Sequence, residues 1–140
     1  MLHHVRVRLI AIAIAVALMG CSTVPRDTSV CAVLANPGGF KGERVRFQAG
    51  VRTDWHHGIA LIDRDCQGAI QLGSTDAVPD EQSKAFDAAV GTPLNGGNGR
   101  TAVAIFTGRI SWEKRGYMDN PLKLEAQSIE QIQVSPRWAR

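Results

Sequence analysis

Residues 43–53 alternate more strictly than any other part of this chain. Val45, Phe47, Ala49 and Val51 take one parity; Arg44, Arg46, Gln48 and Arg52 take the other. Successive side chains of a strand point to opposite faces, so this pattern fits a strand with one dry and one wet side. A helix would need apolar residues three to four apart. Gly50 falls late in the run and marks a bend or bulge.

The remaining elements follow from that strand. Val30–Ala35 is apolar without alternation and predicts one or two helical turns, ended by Asn36-Pro37-Gly38-Gly39, where the glycines allow a reversal. After the first strand comes a loop, Asp54 to Gly58. A short second strand, Ile59–Ile62, a turn over 63–68, and a third strand, Ala69–Leu72, follow. Pro79–Val90 predicts a helix, because Pro79 suits its first turn, Asp80 and Glu81 favour its positive end, and Gly91 stops it. Asn95–Gly99 is a glycine-rich loop. The fourth strand spans Thr101–Trp112, with Gly108 at a kink. Leu122, Leu124 and Ala126 open a fifth strand whose phase shifts at Ile129, which predicts a bulge near Gln127-Ser128.

Ahead of this domain lies Leu9–Cys21, an uncharged apolar run preceded by Arg6 and Arg8. A bilayer span needs roughly 20 apolar residues, and this run is shorter. A basic start, a short apolar centre and a small-residue exit mark a secretory signal. The ending Leu18-Met19-Gly20-Cys21 resembles a bacterial lipobox. That resemblance implies cleavage before Cys21 and acyl chains, such as palmitate, on its thiol and amino group. By the same resemblance to Gram-negative lipoproteins, Ser22, a residue other than Asp in the next position, implies release to the outer membrane, with the domain facing the periplasm. An ordinary secretory signal cut nearby and a short N-terminal anchor are the competing readings. The chain then divides into a signal helix (1–20), a polar tether (21–29), a β domain (30–135) and a short tail (136–140).

Loss of Arg6 and Arg8 leaves 14 basic against 13 acidic residues. So balanced a charge gives no case for nucleic acid, which an exported domain rarely meets. With Cys21 assigned to lipid, Cys31 and Cys66 remain as an even pair in an oxidising compartment, which predicts a disulfide. A metal pair or a redox thiol is the rival, although neither cysteine lies in a C-x-x-C motif.

Three strands, a helix and two more strands resemble the mainly β oligonucleotide/oligosaccharide-binding (OB) fold, a partly open five-stranded barrel. The runs Pro37-Gly38-Gly39-Phe40-Lys41-Gly42-Glu43-Arg44-Val45 and Leu61-Ile62-Asp63-Arg64-Asp65-Cys66 are also similar to those of small OB-like bacterial envelope proteins. This likeness specifies fold and brings no catalytic residue or cofactor with it.

Several side chains are candidates for binding. Arg44, Arg46 and Arg52 share the wet face of the first strand and suit anionic sugars, lipid phosphates or carboxylates. Trp55 and Tyr117, in loops, suit stacking on a ring. His56 and His57 adjoin Asp54 and are the weak metal candidates; a zinc or copper site needs three or four convergent ligands. The expectation is a non-catalytic binding or assembly module, held to the membrane by its lipid and meeting an envelope protein or glycan. A metal-dependent hydrolase or metal carrier built on His56-His57 is the alternative. A structural lipoprotein holding anionic lipid or envelope polymer on its arginines is a third.

Overall fold

The computed structural model describes residues 24–54, 58–91, 102–112 and 122–134. Their spine is strand β2, Arg44–Asp54, which follows the two-residue strand β1, Arg26–Asp27. The alternation of β2 is realised: Val45, Phe47, Ala49 and Val51 are buried, while Gln48 and Arg52 are exposed.

Strand β2 serves two neighbours in turn. From Arg44 to Val51 it pairs antiparallel with β5, Ala102–Trp112; from Gly50 to Asp54 it pairs with β3, Gly58–Ile62. At Gly50 and Val51 it is bonded on both sides. Strand β3 pairs antiparallel with β4, Ile70–Leu72. Strand β4 runs parallel to β6, Leu122–Val134, which returns antiparallel to β5. The parallel ladder continues past β4, where Gly73 N–H donates to Leu124 O and Ala126 N–H to Ser74 O. The circuit β2-β3-β4-β6-β5-β2 is therefore closed. This is an OB-fold-like barrel, with a helix between its third and fourth strands as the sequence implies.

Inside, Val45, Phe47, Phe106 and Ile110 belong to one cluster with Leu61, Ile70 and Leu124. Helix α3, Asp80–Val90, seals one side with Phe86 and Val90. The Phe86 ring meets Phe106 edge-on at 5.9 Å, a geometry that contributes about 0.5–1.5 kcal/mol beyond buried area. From the same helix the Gln82 Oε1 accepts the Ile129 N–H at 2.8 Å. Gln82→Ala would orphan that backbone donor beside an irregular stretch of β6. The expected loss is about 1 kcal/mol in urea unfolding, and less for Gln82→Glu, which keeps an acceptor.

The expected bulge is present. Thr107 faces Ser128, but Gly108 faces Ala126, so Gln127 is the extra residue. A second register shift, which the phase of the sequence does not reveal, lies between Val103–Gln133 and Ile105–Glu130; nearby Gln131 takes φ 50°.

Helix α1, Val30–Ala35, is capped by Ser29, whose hydroxyl accepts the Ala32 N–H at 3.1 Å. Its Val30 and Val33 are fully buried. The glycines after it do not simply reverse the chain. Pro37–Phe40 forms a second short helix, α2, with Pro37 in its first turn and the Asn36 side chain accepting the Gly39 N–H at 3.2 Å. Phe40 is thereby buried. Arg26 and Asp27 fall in the stretch read from sequence as tether, yet as β1 they pair parallel with Val45 and Arg46.

Candidate functional site

Residues directly opposite in a sheet project to the same face, so register alone assembles a surface. Arg52 faces Ala60, Ala60 faces Gln71, and Gln71 faces Lys123. These four, from β2, β3, β4 and β6, form one outward row. At strand spacings of 4.7–4.9 Å the row runs roughly 14 Å between its end residues. Arg52 and Lys123 are exposed; Ala60 and Gln71 are half-buried. The next rung begins Gly50–Ile62. Ala60 keeps the row low beside Arg52, and cations stand at both ends. Such a surface suits a chain-like ligand that carries hydroxyls or negative charge: the amide and ammonium donate hydrogen bonds, and the guanidinium fits planar anions.

Two segments outside the described residues join the sheet beside this row. Asp54 pairs with Gly58, two rungs beyond Arg52, so residues 55–57 begin and end there. Trp112 pairs with Leu122, the neighbour of Lys123, so residues 113–121 join at the other end. Trp55, His56, His57 and Tyr117 belong to these two segments and lie outside the described residues, as does Cys21. Among the described residues no three His, Cys, Asp or Glu side chains converge as a metal site would require.

The three arginines of β2 are not brought together. Arg44 and Arg46 lie in the half of β2 that pairs with β5, and Arg52 in the half that pairs with β3. Six residue steps lead from Arg46 to Arg52, roughly 20 Å along a strand. The first two are also engaged. Arg44 Nε donates to Gln127 Oε1 at 2.7 Å, and Arg46 lies 3.7 Å from the Asp27 carboxylate. Arg109, directly across from Arg44, donates to Gly42 O. The three candidate arginines thus occupy two separate places along β2, and of them Arg52 belongs to the row.

Sequence reading missed Gln71 and Lys123. Neither lies in a motif, and their meeting depends on the parallel β4–β6 register, which alternation within one strand does not encode. The half-signal available was Gly58-Ile59-Ala60-Leu61-Ile62, where the small residues share one parity.

At the barrel end beneath α1, Cys31 and Cys66 form the expected disulfide, with Cα atoms 5.7 Å apart. It ties α1 to the turn between β3 and β4. The close fit continues at Gly68, where a Cβ would stand 3.3 Å from Leu34.

No protein-family model matches the chain, and no curated protein does. Among solved structures, an OBody bound to hen egg-white lysozyme is 16% identical, with 69% of this chain and 84% of that chain covered and a TM-score of 0.40. The Stn1–Ten1 complex of S. pombe is 14% identical, with 84% and 87% covered and a TM-score of 0.36. The barrel assignment rests on the strand circuit itself.

Proposed function

We propose that this protein is a lipid-anchored envelope barrel, facing the periplasm from the outer membrane, that binds rather than catalyses. Its partner on this reading is an envelope glycan or protein, and nucleic acid is not among its ligands. The observation that carries the anchor is the Cys31–Cys66 bridge. It accounts for two of the three cysteines and leaves Cys21, at the end of the lipobox-like tetrapeptide, as the one outside a bridge. A disulfide in so small a domain also agrees with an oxidising compartment. The binding role is supported by the row Arg52–Ala60–Gln71–Lys123, whose side chains recognise hydroxyls and anions.

Palmitate labelling in cells tests the anchor. Full-length protein should take up label and partition with membranes, and Cys21→Ala should lose both. Equal labelling of the two forms would refute the lipid assignment and, with it, the compartment.

A further inference from the structure

We infer that β1 is a clamp that sets how the anchored barrel stands on its membrane, with the Lys41-Gly42 end held against the lipid headgroups and the end where Asp54 pairs with Gly58 pointing away. This rests on the lipid anchor proposed above. It follows from where the chain first joins the fold. Arg26 is already paired with Val45, and the Thr28 N–H donates to Arg46 O at 3.0 Å. Asp27 pairs with Arg46 at 3.7 Å, and the Arg26 guanidinium lies 4.4 Å over the Phe40 ring. Beyond this point Ser29 caps α1, so the chain stays fixed.

Reach then decides the arrangement. Five residue steps separate Cys21 from Arg26, so a fully extended tether spans about 17 Å. Without β1 the first fixed residue is Ser29, and the span grows to about 27 Å. Because β1 runs parallel to β2, the chain arrives from the side where β2 begins. That is the side of the Lys41-Gly42 turn, where Gly42 N–H donates to Ile110 O. Val24, just ahead of β1, is 75% exposed, an apolar side chain left at this edge. Arg52 and the pair Asp54–Gly58 stand at the opposite end of β2. The row Arg52–Ala60–Gln71–Lys123 is then presented from a standing barrel instead of a tumbling one.

The test uses full-length lipidated protein in vesicles that carry a headgroup-linked quencher. A fluorophore is placed on Lys41→Cys or on Arg52→Cys; the oxidised Cys31–Cys66 pair and the acylated Cys21 leave each introduced thiol the one available for labelling. Arg44 and Arg52 are roughly 26 Å apart along β2, and Lys41 lies three residues before the strand begins, so the Lys41 probe should be quenched about threefold more than the Arg52 probe. In Arg26→Ala/Asp27→Ala, and independently in Thr28→Pro, which removes the Thr28 donor, that ratio should fall toward one. Equal quenching of the two probes in protein that floats with the vesicles overturns the clamp, as does a ratio unchanged in both clamp variants. Protein that fails to float overturns the anchor itself and the clamp with it.

Discussion

Gly108→Ala should destabilise the barrel by about 3 kcal/mol or more, at or beyond the upper end of the usual cost of overpacking. An added Cβ would stand 2.3 Å from the backbone oxygen of Glu125 and 2.9 Å from the Ala126 Cα. Those atoms belong to the adjacent strand β6 beside the Gln127 bulge, and Gly108 also pairs with Val45 on its other side. With backbone on both flanks, no rotamer change can relieve the contact. Urea unfolding of the purified domain gives the measurement. Gly38→Ala is the matched control: its Cβ would meet only the Trp112 side chain at an ordinary 3.5 Å, so its midpoint should move little. Similar losses for the two variants would show that the bulge yields and that the close approach is not required.

The second large effect belongs to the disulfide. Cys31 and Cys66 are 35 residues apart, and the chain-entropy relation for such a loop gives about 3–4 kcal/mol. The loop holds α1, α2, β2 and β3, so opening it frees much of the barrel wall in the unfolded ensemble. Helix α1, with six residues, is far too short to persist alone and depends on burying Val30 and Val33. Cys31→Ala/Cys66→Ala should therefore unfold at clearly lower urea than the oxidised parent, and adding a reductant to the parent should reproduce the shift. Coincident curves with and without reductant would show that the bridge does not contribute to stability.

These two sites also show what sequence can convey. The disulfide follows from counting cysteines once one is assigned to lipid. Strand β2 was legible because one face is wholly buried, so that alternation had to be strict. Helix α3 was legible because Asp80, Glu81 and Gly91 punctuate it; Gly91 takes φ 68° and its N–H donates to Asp87 O. Gly108 was legible as a break in β5, but not the reason for it, since the obstructing atom belongs to another strand. Helix α2 was hidden because Pro-Gly-Gly favours a turn in isolation; here the Asn36 cap and the burial of Phe40 outweigh that preference. Strand β1 was hidden because two residues carry no period. The row across β2, β3, β4 and β6 was hidden for the same reason as Gln71 and Lys123: pairing between distant segments fixes it, and no single segment records that pairing.

The division of β2 between two neighbours has a consequence for how the chain assembles. Its ladder with β3 closes across a few residues and can form early, whereas its ladder with β5 joins Arg44 to Arg109, far along the chain, and must come late. Until then the first half of β2 is a bare, hydrogen-bond-hungry edge with Val45 and Phe47 beside it, ready to zip onto another copy. Newly made protein is most prone to aggregate in that interval, before β5 has arrived.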